Sequence, residues 1–429
     1  MFGNGKGQLC LLTSLAILIW SSLSFADVLS LKQAIDTARE VNPDIRSLQN
    51  QFESAQAKTR QSLAPTEPTA SITYNDLDKA FNVPNSGSTV YQINQPLAFP
   101  GKAWVNHASL GHQAQSIYYQ LKAKELDVAN TVKGAYFGLA LAQKNIELNS
   151  ETKASYERIM ATARRRYETG AITQVDLLNA EIALYSNLND LADLETAEKT
   201  ARAQLNNFLG KPSEAPTQVQ SMDQIRRTNH PHMSLTEAQD KMVQNRPEIK
   251  SAVELTEAAD KTYSLAKMSL LPDFQLTAGT TNYNLLAASP IGSVTPQTQT
   301  WMVGIQATIP LWGFFNERET IRGASHDKAA AEANLSSLHL QSNIALESAL
   351  ENLNALNKKI LNYEDHLLDL SEQALKIALV SYSSGKIDFQ TLSDTATARR
   401  QIRHDYYGLI INYLTSYSAY GQLIGEELQ

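Results

Sequence analysis

An internal duplication runs through this 429-residue chain. Residues 30–36 match residues 234–240, and residues 43–47 match residues 247–251, both at an offset of 204. The offset is 214 where Pro96-Leu97 corresponds to Pro310-Leu311, and it is 215 where Tyr167, Gly170 and Ile172 correspond to Tyr382, Gly385 and Ile387. Because the matches keep their order, the two halves are expected to contain the same elements in the same order.

The pattern of each half predicts two helices, two strands and then two long helices. Apolar and polar residues alternate within residues 68–98 and within residues 273–311, which predicts one pair of strands in each stretch. The clearest apolar positions are Phe274, Leu276, Ala278, Trp301, Val303, Ile305, Ala307 and Ile309. The predicted fold class is mainly α with a small β part, arranged as repeat one (28–212), a linker (213–233) and repeat two (234–429).

The predicted long helices are coiled coils. No proline interrupts residues 101–170, and about 65 helical residues would extend about 100 Å. In the second half, apolar residues recur at a strict spacing of three and four, which is typical of a coiled-coil seam. This seam comprises Leu346, Ala349, Leu353, Leu356, Ile360, Tyr363, Leu367, Leu370, Ala374 and Ile377. The first half repeats the spacing at Val128, Val132, Ala135, Leu139, Ala142 and Ile146.

Residues 1–26 have the pattern of a secretory signal peptide. Lys6 supplies a positive charge, residues 9–20 are almost wholly apolar, and Ser24-Phe25-Ala26 offers a cleavage site. The single cysteine, Cys10, lies in the apolar run, so the processed chain is expected to lack thiols.

A formal net charge of -7 argues against a nucleic-acid partner. No later stretch approaches the length of apolar sequence that a membrane-spanning helix needs.

The alternating strands fit two settings, a membrane crossing or a soluble hairpin that lies on a helical body. Aromatic residues near the predicted strand ends favour the membrane, where they form interfacial girdles. These residues are Tyr74, Phe81, Tyr91, Phe99, Trp104, Tyr283, Trp301, Trp312, Phe314 and Phe315. Four strands cannot close a barrel, so a membrane setting requires several copies of the chain. Two copies would give eight strands and three would give twelve, and a transport role favours three.

Several motifs resemble one family closely. Both halves open with Leu-x-x-Ala followed by Pro-x-Ile, and Gln95-Pro96-Leu97 is followed by Pro100-Gly101-Lys102. Tyr167-x-x-Gly170 leads to the stretch Asp176-Leu177-Leu178-Asn179-Ala180. Over residues 28–425 the chain therefore resembles the outer-membrane efflux protein (TolC) family.

This resemblance implies a homotrimer in the outer membrane of a Gram-negative bacterium, with a twelve-stranded barrel embedded in lipid. It also implies a periplasmic helical tunnel, built from residues 101–211 and 317–425 and surrounded by a belt that includes the linker. The implied partners are a periplasmic adaptor protein and an inner-membrane pump, of the resistance-nodulation-division type. Residues 99–102 are similar to those of members that serve metal-exporting pumps.

The tips of the long helices hold the candidate site. Gly170 and Gly385 each follow a long helix, which predicts left-handed turns between paired helices. The resemblance implies that these tips, with Tyr167 and Tyr382, form the periplasmic end and the adaptor docking surface. It further implies an aperture lined by acids, for which the candidates are Asp176, Asp394 and Asp388, although helix capping would also explain them. Arg164, Arg165 and Arg166 are expected either to stabilise the helix terminus or to pair with acids of a neighbouring hairpin in the closed state.

No constellation of catalytic residues is visible in the sequence, and neither a cofactor nor a metal site is expected. His230, His232 and Met233 form the one cluster with metal-ligand character, but no further ligand converges on it. Three functions remain open: a passive outer-membrane conduit, a periplasmic coiled-coil scaffold and a secreted enzyme. A conduit accounts for all the features above. Its cargo could be metal cations, toxic small molecules or, in a type I secretion system, whole proteins.

Overall fold

The computed structural model describes residues 28–77, 83, 86–225, 233–283, 299–313 and 315–428. Several of the features predicted from the sequence lie outside these residues. They are the signal peptide at 1–26, Phe81, His230, His232 and Phe314.

The same series of elements occurs twice, which confirms the predicted duplication. Repeat one contains helices α1 (Leu31–Val41) and α2 (Pro43–Gln61), strands β1 (Thr69–Asn75) and β2 (Ser88–Leu97), and helices α3 (Lys102–Glu168) and α4 (Gln174–Phe208). Repeat two contains α5 (Leu235–Asn245), α6 (Pro247–Lys267), β3 (Asp273–Tyr283), β4 (Gln299–Thr308), α7 (Asn316–Asn362), α8 (Leu368–Ser383) and α9 (Phe389–Ile424). A π-helical turn, Tyr363–Leu367, joins α7 to α8.

Equivalent residues start and stop the equivalent helices. Ser30 and Ser234 each accept a hydrogen bond from the backbone three residues on, in a capping box that begins α1 and α5. At the other end of each repeat, α4 and α9 end at left-handed glycines, Gly210 and Gly425, whose φ angles are 66° and 74°. The offset between these two glycines is the same as that between Gly170 and Gly385, so the duplication extends to the last turn of each repeat.

The four strands form one antiparallel sheet in the order β1-β2-β3-β4. Since β2 pairs with β3, the hairpins of the two repeats lie side by side at one end of the molecule, as predicted. The register places most of the apolar residues of the four strands on one face, where Ala70, Ile93, Ala278 and Val303 form one row. Most of this apolar face is exposed, and Val303 is 84% exposed.

Gly279 allows the two hairpins to approach each other. A Cβ atom at this position would lie 2.6 Å from the carbonyl oxygen of Tyr91 on β2, whereas a Cβ atom at Gly304 would meet nothing within 4 Å. Gly279→Ala is therefore expected to destabilise the sheet by about 1–3 kcal/mol, and Gly304→Ala is expected to leave it nearly unchanged. The temperature at which the folded band disappears on SDS gels measures both. Equal melting temperatures would show that β2 and β3 can separate without loss.

The helices form an elongated layer below the sheet. Near the sheet the neighbours are α2, α3, α6 and α7, and further down they are α4, α3, α9 and α8. Helix α3 has 67 residues and is thus about 100 Å long, so the sheet and the turns at Gly170 and Gly385 lie at opposite ends, as predicted. Within the described residues, no helix is both long enough and apolar enough to cross a membrane.

The predicted coiled-coil seam of the second repeat is correct only above the π turn. Leu346, Leu353, Leu356 and Ile360 are buried, as predicted. Below the turn, Leu370, Ala374 and Ile377 are exposed, which contradicts the prediction. The buried residues there are Ser371, Leu375, Ala378 and Tyr382. The first three each follow a predicted seam position by one residue, because the wider π turn takes up one additional residue.

A belt crosses the middle of the helical layer. We define it as Leu29, residues 213–225 and residues 425–428. Leu29 forms a parallel bridge with Val219, and the Tyr136 hydroxyl of α3 donates to the Leu29 carbonyl at 2.8 Å. At the C-terminus, the buried Lys133 ammonium donates to the Leu428 carbonyl. The belt therefore ties Leu29, the described part of the linker and Leu428 to α3.

Candidate functional site

The two turns at the lower end of the helices have the same hydrogen bonds. In the first, Ala171 N–H donates to the Arg166 carbonyl at 2.8 Å and Gly170 N–H donates to the Tyr167 carbonyl at 2.9 Å. In the second, Lys386 and Gly385 donate to the carbonyls of Ser381 and Tyr382 at 2.9 and 3.0 Å. Gly170 and Gly385 have φ angles of 70° and 75°, a conformation that favours glycine. The left-handed turns predicted from the sequence are therefore confirmed.

The two hairpins share a small apolar core directly above these turns. It contains Tyr156, Ile159 and Ala163 of α3, Ala180 of α4, Leu375, Ala378 and Tyr382 of α8, and Phe389, Leu392 and Ala396 of α9. Since each hairpin contributes to one cluster, the tips are held together within a single chain. We refer to this cluster and the two turns as the tip.

Arg166 connects the hairpins at the tip. Its guanidinium donates to the Tyr382 carbonyl and lies over the Tyr382 ring, 4.9 Å from the ring centroid. Pairing with an acid is one of the two roles expected for Arg166 from the sequence, but within this chain it binds a carbonyl and an aromatic face instead. Arg164 lies 3.7 Å from Glu181 of its own hairpin. Arg165 is exposed to solvent.

The three candidate acids have different roles in the tip. Asp176 completes a capping box, in which it accepts from the Thr173 hydroxyl at 2.9 Å and from the Thr173 N–H at 3.1 Å. Asp388 is the N-cap of α9, and hydrogen bonds from Thr391 lower the pKa of its carboxyl. Asp394 is exposed in the second turn of α9 and accepts from Gln390 at 2.8 Å. Helix capping thus accounts for Asp176 and Asp388 but does not account for Asp394.

Of the four candidate docking residues, one is buried and three are exposed. Tyr382 is only 2% exposed, so its side chain belongs to the core of the tip. Burial raises the pKa of its hydroxyl. Tyr167, Gly170 and Gly385 are exposed at the end of the molecule, where a partner protein can reach them.

A layer of ion pairs, which the sequence did not reveal, joins four helices above the tip. Three arginines of α9 reach acids on three different helices. Arg399 binds Glu372 of α8, Arg400 binds Asp190 of α4 at 2.6 Å, and Arg403 binds Glu151 of α3. The spacing of these three arginines around one helix was a signal in the sequence that they contact several helices. Their acidic partners could not be identified, because they are distant in sequence.

A second charged site that the sequence missed joins the belt to the helices. The side chain of Lys144 in α3 is 4% exposed and lies 2.7 Å from Asp223 of the belt and 2.9 Å from Glu147. Tyr407 of α9 donates to Asp223 at 2.9 Å and places its ring beneath the Lys144 ammonium. Burial alone would lower the pKa of Lys144, but hydrogen bonds to Asp223 and Glu147 outweigh it and raise that pKa. The same hydrogen bond from Lys144 lowers the pKa of Asp223.

Across the part of the chain that the structure describes, no three His, Cys, Asp or Glu residues are arranged to hold a metal ion. Met233, the one described member of the His230–Met233 cluster, packs against the apolar core around α5.

Comparison with known proteins agrees with this architecture. The sequence profile of a family described as "Outer membrane efflux protein" matches residues 34–211 and 239–426, and so covers most of both repeats. The fold is that of the outer-membrane channel CusC, with a TM-score of 0.77, 19% sequence identity and coverage of 92% of each chain.

Several curated proteins are similar to this chain in sequence, over different shares of their length. The chain is 24% identical to the outer membrane protein TolC of Escherichia coli, over 99% of this chain and 88% of TolC. It is 27% identical to the nickel-cobalt-cadmium resistance protein NccC of Alcaligenes xylosoxydans xylosoxydans, over 66% of this chain and 62% of NccC. A match with the alkaline protease secretion protein AprF of Pseudomonas aeruginosa, at 25% identity, covers 43% of this chain and only 40% of AprF. The match of the family profile to both repeats establishes that the chain belongs to the outer membrane efflux protein family.

Proposed function

We propose that this protein is the outer-membrane channel subunit of a tripartite efflux system and that three copies form one conduit. The observation that carries the proposal is the sheet, which combines an exposed apolar face with two edge strands, β1 and β4, that have no partner among the described residues. Unpaired strand edges are not tolerated in lipid, so the edges must pair with other copies. Three copies give twelve strands, enough to enclose a lumen rather than a filled interior.

The opposite face of the sheet suits the wall of a water-filled passage. Its rows contain Thr69, Asn94, Thr277 and Gly304, and next to them Ser71, Gln92, Gly279 and Met302. A polar inner face and an apolar outer face are the pattern of a transmembrane barrel that conducts solutes. The helical layer would then extend this passage into the periplasm for about 100 Å.

The proposed partners are a periplasmic adaptor that contacts the exposed tip and an inner-membrane pump, of the resistance-nodulation-division type. The proposed cargo is metal cations or toxic small molecules. NccC, whose name gives nickel, cobalt and cadmium resistance, favours the metal cations. AprF, a protease secretion protein, supports export of proteins as the second candidate. The Phe99–Lys102 stretch does not discriminate between them, because Lys102 has a structural role: it binds Asp273 at 2.8 Å where β2 passes into α3.

A test of this function begins with the source bacterium. Deletion of the gene should increase sensitivity to divalent transition metals or to toxic organic compounds, and the purified protein should have the mass of a trimer in detergent. A deletion strain that retains its resistance but no longer secretes a protein would favour the second candidate. A stable monomer that conducts ions in planar bilayers would refute the trimeric conduit.

Asp394 is proposed to line the periplasmic aperture. Three copies would place three such carboxylates in a ring, and rings of acids favour cations in a narrow passage. Asp394→Ala is expected to reduce the selectivity for cations in planar bilayers without lowering the melting temperature. The matched control is Asp176→Ala, which removes a capping box and is expected to cost about 1 kcal/mol of stability while selectivity changes little. Unchanged selectivity in Asp394→Ala would show that this carboxylate faces away from the lumen.

Arg166 is proposed to hold the tip closed. Arg166→Ala removes one hydrogen bond and one cation–π contact between the hairpins, together worth about 1–3 kcal/mol. The expected result is a higher single-channel conductance or more frequent opening. Arg165→Ala, which removes the same charge from an exposed neighbour, should behave like the unmodified protein. If both variants show the same raised conductance, net charge rather than the link to Tyr382 controls the aperture. If neither variant differs from the unmodified protein, the link to Tyr382 does not hold the tip closed.

A further inference from the structure

The second repeat contains one residue more than the first along its long descending helix. Helix α3 spans Lys102–Glu168, and the equivalent span of repeat two, Asn316–Ser383, is longer by a single residue. This is the residue by which the offset between the repeats grows from 214 to 215. The π turn at Tyr363–Leu367 lies within the longer span, and a π turn is the form that a helix takes when it absorbs one inserted residue.

An inserted residue changes the face that the following helix presents. Each residue turns an α-helix by about 100°, so α8 is rotated by this amount relative to a continuous helix. Its buried face carries Leu375, Ala378 and Tyr382, which pack in the tip. Its displaced face carries a second apolar stripe at Leu370, Ile377 and Val380, which we call the α8 stripe. Helix α8 thus has two apolar faces, and the chain itself covers one of them.

Helix α4 carries a matching stripe at Val175, Leu178 and Tyr185, which we call the α4 stripe. The six residues of the two stripes are each between 47% and 65% exposed. The residues of the α4 stripe follow Gly170 at the same three intervals at which the residues of the α8 stripe precede Gly385. Helix α4 begins at the tip and helix α8 ends at the tip. Each apolar residue of one stripe therefore has an apolar counterpart at the same height on the other.

The two stripes cannot meet within one chain. Helices α3 and α9 lie between α4 and α8, which form the opposite edges of the lower helical layer. Two complementary patches on opposite edges of a subunit generate a head-to-tail contact, and such contacts close into a ring when the rotation fits. A second copy of this chain is therefore the occupant that fits both stripes at once.

We propose that the α8 stripe of one copy packs antiparallel against the α4 stripe of the next, and that the π turn sets the helical phase that makes this contact available. This inference rests on the proposed trimeric conduit and specifies its helical seam. Without the additional residue, each residue of α8 would occupy the position that the preceding residue now occupies, and both apolar faces would be rotated by about 100°. The residues that now seal the tip would then face the neighbouring copy.

Cysteine cross-linking tests the contact directly, because Cys10 is the only cysteine of the chain. In Leu178→Cys combined with Ile377→Cys, mild oxidation of the trimer is expected to shift the SDS band from monomer to covalent trimer. A disulfide requires Cα atoms within about 4.4–6.8 Å, so it reports only facing positions. The control combines Val175→Cys with Leu370→Cys, whose heights differ by about 15 Å, and it should remain monomeric. Each single-cysteine variant should also remain monomeric.

Deletion of Asp365 from the π turn tests the role of the additional residue. The deletion should abolish the cross-link between Leu178→Cys and Ile377→Cys and should create one between Leu178→Cys and Ala378→Cys. An unchanged cross-link after the deletion would overturn the phase-setting role of the π turn. If the deletion variant does not assemble, the undeleted protein still tests the helical phase of α8, since Ile377→Cys and not Ala378→Cys should react with Leu178→Cys. Reaction of Ala378→Cys instead would overturn the proposal.

The mass of the unoxidised protein in detergent separates failure of the seam from failure of the conduit. A trimer that forms no disulfide from Leu178→Cys with Ile377→Cys would overturn the seam and leave the trimeric conduit intact. A monomer would overturn both.

Discussion

Gly425→Ala is expected to lower the free energy of unfolding by about 3 kcal/mol, because two costs add at this position. Gly425 ends α9 with a φ of 74°, which is unfavourable for alanine. A Cβ atom there would also lie 2.5 Å from the Asn245 carbonyl carbon and 2.7 Å from the Arg246 nitrogen. Both atoms belong to the backbone between α5 and α6, so they cannot move without displacing two helices.

The duplication supplies a matched control for this prediction. Gly210 is the equivalent residue of repeat one and has a similar φ of 66°, but the nearest atom to its added Cβ is a Val41 side-chain carbon at 3.4 Å. Gly210→Ala should therefore carry only the backbone cost, about 1 kcal/mol. Thermal unfolding of the two purified variants in detergent measures the difference. Equal losses would mean that the C-terminal turn moves away from α5 and α6 without cost.

The architecture could be predicted from the sequence because the duplication repeats the order of the elements and because the turn residues act locally. Prolines and glycines at equivalent places indicate where each helix and strand begins or ends, and the duplication predicts that the two hairpins share one end. The pairing of β2 with β3 and its register came only from the structure. Long apolar seams then specify helices too extended for a compact domain. The left-handed turns at Gly170 and Gly385 belong to the same class of local prediction.

The helical phase of α8 could not be predicted in this way. Leu370 and Ile377 continue the apolar spacing of α7, and Leu375 and Ala378 form an equally apolar face one position later. Apolar periodicity therefore cannot decide which face the chain buries. The change in offset between the repeats was the signal that a residue had been inserted.

The ion pairs above the tip and at the belt could not be predicted from the sequence, for another reason. Arg403 and Glu151 are 252 residues apart, and Lys144 and Asp223 are 79 apart, so only the packing of distant helices brings them together. Asp176 was different, since the pattern Thr173-x-x-Asp176 at the start of a helix already indicates a capping box. The tip acids were thus partly explained by local structure.

Asp223→Ala is expected to have the second large effect, a loss of about 2 kcal/mol and release of the belt from α3 and α9. Removing one partner of a buried ion pair costs about 3–5 kcal/mol, because the remaining charge is left without compensation. The expected value is lower here because the Asp223 side chain is 55% exposed and Lys144 keeps its contact with Glu147. Hydrogen exchange of residues 213–225 should increase in the variant while that of the tip stays constant.

The same contact should open in acid rather than in base. The pKa of Asp223 is lowered in the folded protein, so its contribution to stability is present above the usual aspartate range and is lost as the pH falls through the lowered value. The pKa of Lys144 is raised, so its contribution is lost only at a pH above the usual lysine range. Belt exchange in the unmodified protein should therefore rise at acidic pH, and in Asp223→Ala this rise should be smaller.

Two control variants show which charge of this pair matters. Glu147 lies on the same helix as Lys144 and binds its ammonium at 2.9 Å, so Glu147→Ala should remove this ion pair without releasing residues 213–225. Lys144→Met removes the buried charge itself, and the half-exposed Asp223 can then be hydrated. Lys144→Met should therefore cost less than Asp223→Ala, since a buried ammonium that has lost one of its two carboxylate partners is worse than an absent one. The opposite order would show that the belt is held by packing of the Lys144 side chain against Tyr407, with its charge contributing little.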